Sequence, residues 1–197
     1  MTEKEKMLAG MIYDANYDKE LIAERWKCKD LCHAFNQLLP SNIEEQQRII
    51  KKLLGRVKGS FVITAPFWCD YGYNVEIGEN FYTNHNCVIL DAAKVTFGDH
   101  VFIAPHCCFS TAGHPIDSGR RNEGLEFAYP INVGNNVWFG AGVTVLPGVS
   151  IGDDVVIGAG SIVNKDIPSG VVAVGNPCKV LRAITEEDKR KYHKMEG

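Results

Sequence analysis

The sequence predicts a mainly β chain wound as a parallel β-helix, with a helical segment ahead of it and a short helix behind. Three observations carry that prediction. Apolar residues return every six positions from Ile77 onward, a 3.6-residue apolar period is confined to the stretch before Gly55, and the six-residue rhythm is interrupted once at length.

The helical segment comes first. In residues 18–39, Leu21, Ile22, Leu31, Cys32, Phe35, Leu38 and Leu39 recur at helical spacing, and Pro40 ends the run because its ring cannot continue a helix. Ser41 and Glu44 form an S-x-x-E pattern in which each side chain can serve the other's backbone N–H. A second helix is therefore predicted from there through Leu54, with Gly55 just past its end. The two helices make a hairpin, and residues 1–56 form the helical segment.

The repeat follows. Val133, Phe139, Val145, Ile151, Ile157 and Val163 hold a six-residue phase without a break. Four residues after each stands a second small or branched residue, namely Val137, Val143, Val149, Val155, Ser161 and Ile167, and glycine follows most of the first set as Gly134, Gly140, Gly152 and Gly158. The same register runs upstream through Ile103 and Phe109, and earlier through Ile77, Thr83 and Ile89, with a two-residue slip between Ile89 and Phe97. Each six-residue unit fits one short strand plus a tight corner. Branched side chains fill a narrow core, and glycine or asparagine takes corners where a Cβ would clash or φ is positive. Residues 57–184 are thus assigned to stacked coils forming a triangular prism. Residues 185–197, opening on Thr185-Glu186-Glu187-Asp188, predict a short capped helix over the open end.

Composition narrows the function classes. A formal net charge of -3 gives no basic field for a phosphate backbone, so nucleic acid is not an expected partner. No window approaches the roughly 18 consecutive apolar residues of a membrane span. The polar start and an odd number of cysteines, seven, predict a cytoplasmic protein with reduced thiols. Cys28 and Cys32 lie four apart on the predicted helix and Cys107 and Cys108 are adjacent; neither pair has the short-loop spacing of a structural zinc site. They read as small buried hydrophobes, and no metal is expected.

The interruption covers residues 114–132, and a long loop inserted into a compact repeat is more often functional than accidental. His114 stands at its root between Gly113 and Pro115. At this point the sequence becomes specific. The runs Thr111-Ala112-Gly113-His114-Pro115, Pro130-Ile131-Asn132-Val133-Gly134-Asn135-Asn136-Val137-Trp138-Phe139-Gly140, Ile157-Gly158-Ala159-Gly160-Ser161-Ile162-Val163 and Gly175-Asn176-Pro177-Cys178-Lys179-Val180 closely resemble the maltose and galactoside O-acetyltransferases, a family of hexapeptide-repeat acyltransferases. The resemblance covers nearly the whole chain, and Met7-Leu8-Ala9-Gly10-Met11-Ile12-Tyr13-Asp14 is similar to the opening segment of this sugar-acetylating branch.

The resemblance implies a left-handed β-helix assembled as a homotrimer, each active site lying between two subunits, and direct acetyl transfer from acetyl-CoA to a hydroxyl of a mono- or disaccharide. His114 matches the family's general base, a role that suits an imidazole near neutral pH. Asn84, in Tyr82-Thr83-Asn84-His85-Asn86, matches a hydroxyl-orienting asparagine, although a corner asparagine of left-handed conformation is the competing reading. Asp14, Asp70 and Asp91 join Asn84 in a polar acceptor pocket, to which the loop context alone adds Glu126 as an expected orienter of His114. The Ala141 amide is the expected oxyanion donor. Trp138 walls the thioester end, the small residues Gly140, Ala141, Gly158 and Ala159 open the backbone to the pantetheine arm, and Asn164, Lys165, Lys179 and Arg182 meet the coenzyme phosphates. Aspartate at position 70, where some relatives carry serine, and Asp91-Ala92 in place of paired acids leave the identity of the sugar open.

Three rival readings remain. A zinc carbonic anhydrase on the same prism needs three converging histidines, whereas His100 and His106 are six apart with Pro105 between them. With His33, His85 and His193 they read as corner or surface residues. A scaffold without activity would have no reason to keep a histidine-bearing loop, a small-residue groove and terminal cations together. An acyl-cysteine route through Cys107 or Cys108 lacks any neighbour that would lower a thiol pKa.

Overall fold

The computed structural model describes residues 1–191; the end of the predicted C-terminal helix, from Tyr192 on, lies outside the described residues. The chain opens with α1 (Glu3–Leu8), capped reciprocally by Thr2 and Glu5, a helix that the polar start does not announce. After β1 (Tyr13–Asp14) comes α2 (Lys19–Asn36), whose Asp18 cap accepts the Leu21 N–H. It ends before the apolar period does. The Asn36 amide turns outward and holds both backbone groups of Phe67, at 3.0 and 2.8 Å. The second helix, α3 (Ile43–Leu53), starts after Asn42 with no side-chain cap, so the expected Ser41–Glu44 box does not form.

Five complete coils follow. Coil one is β2 (Arg56–Val57), β3 (Phe61–Ile63) and β4 (Phe67–Cys69); coil two is β5 (Val75–Ile77), β6 (Phe81–Thr83) and β7 (Cys87–Leu90); coil three is β8 (Val95–Phe97), β9 (Phe102–Ile103) and β10 (Cys108–Ser110). The interruption then contributes β11 (Ala112–Gly113), α4 (Ser118–Asn122) and β12 (Leu125–Ala128). Coil four is β13 (Ile131–Val133), β14 (Trp138–Phe139) and β15 (Thr144–Val145), and coil five is β16 (Ser150–Ile151), β17 (Val156–Ile157) and β18 (Ile162–Val163). A partial sixth turn bridges Ile167 to Ile151, adds β19 (Val171–Val174), and doubles back as antiparallel β20 (Lys179–Ala183). The tail then makes a 3-10 turn, Glu186–Arg190, with a Thr185–Asp188 capping box, where an ordinary helix was expected.

Three sheets form the faces of the prism. Face one stacks β2-β5-β8-β13-β16, face two β3-β6-β9-β14-β17-β19-β20, and face three β4-β7-β10-β15-β18. Every coil-to-coil pairing is parallel and six-phase residues meet their counterparts: Thr83 pairs Ile103, Ile103 pairs Phe139, and Phe139 pairs Ile157. The repeat residues point inward and are buried, and the hairpin covers the first coil through Phe35 and Ile50. Coil one also keeps the phase, at Ile63 and Cys69, within the span assigned to the coils but ahead of the first repeat residue that the sequence singled out. Among the described residues no helix is long and apolar enough to cross a membrane.

A column of rings runs through the middle of the core. Phe109 meets Phe97 and Phe139 edge-on, with centroids 5.0 and 5.1 Å away. Edge-to-face geometry brings the positive ring edge to a negative face and adds to the burial of area. At the corners, Asn86, His100 and His106 take left-handed φ of 60°, 59° and 62°, conformations that asparagine tolerates and that here hold two of the histidines. Asn84 is not among them, so its corner reading falls to Asn86 instead.

Phe109→Ala should cost about 3–5 kcal/mol, because both neighbouring rings lose a partner in a core that cannot collapse onto the gap. Urea unfolding of the two proteins checks this; an unchanged midpoint would mean that the column contributes little.

Candidate active site

The six-residue phase slips by two between Cys69 and Ile77 and again between Ile89 and Phe97, and it is interrupted at length after Phe109. All three irregularities fall where face three turns into face one, so Asp70, Asp91 and the His114 arm stack along a single edge of the prism. The arm is a small antiparallel sheet in the order β1-β12-β11, which ties the N-terminal segment to the interruption. Gly113 admits this packing, since a Cβ there would lie 2.5 Å from the Phe127 ring.

His114 leaves β11 with its side chain 45% exposed, open enough to meet a ligand. Its Nδ1 stands 3.0 Å from the Leu125 carbonyl oxygen. A carbonyl only accepts, so Nδ1 carries the hydrogen and Nε2 of the neutral ring keeps its lone pair. Glu126 Oε1 lies 3.6 Å from Nε2, too long for a direct hydrogen bond. The other oxygen of Glu126 accepts from the Tyr13 hydroxyl at 2.8 Å. Burial, with the Glu126 charge beside it, holds the Tyr13 phenol far above its ordinary pKa, so it stays a donor. Tyr13 and Glu126 are directly opposed in the β1–β12 pairing. Glu126 thus stands beside the imidazole without a direct bond to it, the ring being held by the Leu125 carbonyl, and Glu126 is itself held by Tyr13, a residue that sequence reading did not single out.

The three aspartates differ. Asp14 accepts the Asn16 and Tyr17 N–H groups on Oδ1, at 3.1 and 2.9 Å, which is local turn chemistry. Asp70 is half-buried; burial raises its pKa, opposed by Lys29 and Arg25. Asp91 is 0% exposed and cannot touch a ligand in this conformation, a correction to its expected place in the pocket lining. Its Oδ1 accepts the Asp70 and Tyr71 N–H groups at 3.0 and 2.8 Å, while Oδ2 has no hydrogen-bond partner among the described residues. Asp91 braces Asp70 from below. Burial pushes its carboxyl up to about 6, against the pull of the Tyr71 N–H.

The other predicted residues occupy a different edge, where face two turns into face three. Backbone bonds stack the corners there from Asn84 to Ile103, from Ala104 to Phe139, from Gly140 to Ile157 and from Gly158 to Ala173. Asn84 and Trp138 line a shallow depression of about 550 Å³ with Tyr82, Phe102, Ile103 and Ala104. Above it, the Ala141 and Ala159 corners are exposed, and neither backbone N–H has a hydrogen-bond partner among the described residues. Gly140 and Gly158 are required by the stacking of the coils themselves. A Cβ on Gly140 would lie 2.5 Å from the Ala159 nitrogen and one on Gly158 2.6 Å from Val174 Cγ1, so both glycines permit coil stacking.

The predicted cations separate. Arg182 is engaged by Asp188 through two hydrogen bonds, at 2.7 and 2.8 Å, and is not free for a phosphate. Lys179 and Lys165 are exposed and make no ion pair among the described residues. Lys179 pairs with Val174 at the Ala159 edge, whereas Asn164 and Lys165 follow β18 and turn the His114 edge. No trio of histidines converges among the described residues. The one group there of three or more His, Cys, Asp or Glu close enough to share an ion is Cys28, Cys32 and Cys69. Cys107 and Cys108 have their pKa values raised by burial, which keeps them as thiols.

A prism of six-residue coils with a histidine-bearing arm and a helical cap defines a hexapeptide-repeat acyltransferase. The chain matches a family model described as the maltose acetyltransferase hexapeptide capping motif over residues 6–59, and one described as bacterial transferase hexapeptide (six repeats) over residues 130–165. It is 43% identical to the galactoside O-acetyltransferase of Escherichia coli, over 98% of this chain and 95% of the relative. The solved structure of a maltose O-acetyltransferase from Clostridium difficile is 49% identical and superposes with a TM-score of 0.92, covering 94% of this chain and 99% of the other. That of a galactoside acetyltransferase in complex with coenzyme A is 42% identical, with a TM-score of 0.93 over 99% and 97%. The chain belongs to the maltose and galactoside O-acetyltransferase family.

The Asp91 carboxyl titrates at about 6 in the fold against 3.8 as its ordinary value, so the folded state favours the protonated form. Its contribution is fully favourable below 3.8 and is lost as pH rises through about 6. Asp91→Asn keeps an acceptor for the two N–H groups and removes that charge. The stability difference between variant and wild type should therefore grow with pH across this window and then level off, as read by denaturant unfolding at several pH values.

Proposed function

We propose that the chain transfers the acetyl group of acetyl-CoA directly to a hydroxyl of a mono- or disaccharide, with His114 as general base. The observation that carries this reading is the bond from His114 Nδ1 to the Leu125 carbonyl at 3.0 Å, which leaves Nε2 free to take a proton. A sugar hydroxyl is a weak nucleophile at neutral pH and must lose its proton as it attacks. Acetyl-CoA supplies the electrophilic thioester. As Nε2 becomes protonated, Glu126 at 3.6 Å stabilises the imidazolium, and Tyr13 holds Glu126 in place. The unpartnered Ala141 N–H donates to the oxyanion, and Asn84 orients the reacting hydroxyl. Asp70, braced by Asp91, and the free oxygen of Asp14 accept from other hydroxyls of the acceptor.

Asn84 and Asp91 stand seven positions apart with strand β7 of face three between them, so a whole face of the prism lies between Asn84 and the His114 edge. One copy therefore cannot unite base, asparagine and oxyanion donor; a second copy can. Face two offers a surface for it, since Val62, Phe102 and Trp138 are 55%, 49% and 54% exposed along one ladder of paired positions. Exposed apolar patches of this kind mark association surfaces. A homotrimer with three shared sites closes symmetrically. Lys165 of one copy and Lys179 of the next then flank the coenzyme phosphates. Free thiols throughout fit a reducing compartment, and the protein acts in the cytoplasm.

His114→Ala should lower kcat by about 10²–10⁴ with KM for acetyl-CoA nearly unchanged, measured as coenzyme A release over a panel of sugars. Full activity in the variant would remove the base. For the shared site, His114→Ala and Asn84→Ala chains should each be inactive alone and regain part of the activity when unfolded and refolded together, because some interfaces then pair an intact histidine with an intact asparagine. No recovery on mixing would place both residues in one chain's site.

A further inference from the structure

Three cysteines that the transfer reaction does not use meet beneath the acceptor edge. Cys28 and Cys32 lie one turn apart on α2, on the face turned to coil one, and Cys69 closes β4. The Cys69 sulfur is 3.5 Å from that of Cys28 and 3.8 Å from that of Cys32, and all three sulfurs lie within 4.8 Å of one another. Their residues are 3%, 0% and 3% exposed, so the cluster is closed to water. The remaining buried cysteines, among them Cys87, Cys107 and Cys178, join no such group among the described residues and serve as small apolar side chains.

Metal–thiolate bonds of about 2.3 Å in a trigonal plane put the sulfurs roughly 4 Å apart, so an ion fits here after shifts of a few tenths of an ångström. Coordination number selects the ion. Zinc in a structural site takes four ligands, and in a three-ligand site it completes its shell with water. This cluster has no fourth His, Cys, Asp or Glu atom within reach among the described residues, and its three residues are buried. Soft, all-sulfur sites suit Cu(I), which accepts three ligands. We propose that Cys28, Cys32 and Cys69 form a three-sulfur site for a soft monovalent metal ion, Cu(I) being the ion of that class to test. Bound there, the ion ties the hairpin to coil one directly behind Asp70, adding to the apolar packing, the Asn36 clasp and the bonds of Arg25 and Glu24 to Tyr71 and Tyr73.

The test titrates the reduced full-length protein with Cu(I) under anaerobic conditions against a chromophoric chelator, followed by X-ray absorption at the copper edge. The expected result is one Cu(I) per chain with three sulfur neighbours and no nitrogen or oxygen, and a raised thermal midpoint. Cys28→Ala and Cys32→Ala, each checked for an unchanged circular dichroism spectrum, should lose the copper, while Cys107→Ala and Cys178→Ala retain it. Retention of copper by Cys28→Ala, absence of stoichiometric copper in the wild type, or stoichiometric four-coordinate zinc in its place would overturn the site. Acetyl transfer assayed on the metal-free protein reports on the catalytic reading separately.

Discussion

Everything in this molecule hangs on parallel backbone pairing between successive coils in fixed six-residue register. The Trp138 N–H donates to Val155, the Gly140 N–H to Ile157 and the Thr144 N–H to Ser161, so each coil presents the next with an identical row of acceptors. Because side chains alternate along a strand, a slip of one residue would turn every buried Val and Ile outward. The register thereby converts position in the chain into position on the surface. Residues at one phase share an edge of the prism, whatever their separation in sequence.

That conversion explains why the candidate site residues gather at edges. Extra residues within a face would break the ladder, whereas at a corner they add only a wider turn. The insertions all use the edge between faces three and one, and the gap they open is where Asp70, Asp91 and the His114 arm are stacked. Thr111, buried at the start of the arm, secures the join: its hydroxyl donates to the Leu90 carbonyl at 2.7 Å and accepts the Ala93 N–H at 2.9 Å. Asp91 shows the cost of such bracing. A carboxylate without a cation partner is taken out of water to hold two backbone N–H groups, and its raised pKa records the desolvation.

The prism was legible because its period is unlike that of any helix, and six consecutive apolar positions from Val133 to Val163 already determine it. His114 was legible through its flanking residues and through the interruption it begins. Contacts formed across long separations were not. Nothing in the sequence ties Tyr13 to Glu126, which depends on β1 pairing with the arm, or brings Cys69 to the pair on α2, which depends on how the hairpin lies against coil one. The demand that the coil above places on Gly140 and Gly158 was hidden for a related reason, since it rests on contacts between residues about sixteen to nineteen positions apart. Arg182 likewise has a cation's sequence signature, yet Asp188 from the following turn neutralises it.

The arm leaves the prism after Thr111 and returns at Tyr129, whose N–H donates to the Thr111 carbonyl at 2.9 Å. Exit and entry are thus fastened together, and the solenoid continues as though the excursion were a single corner. Because the excursion is closed at its base, its length and composition can vary without disturbing the register of the coils on either side of it.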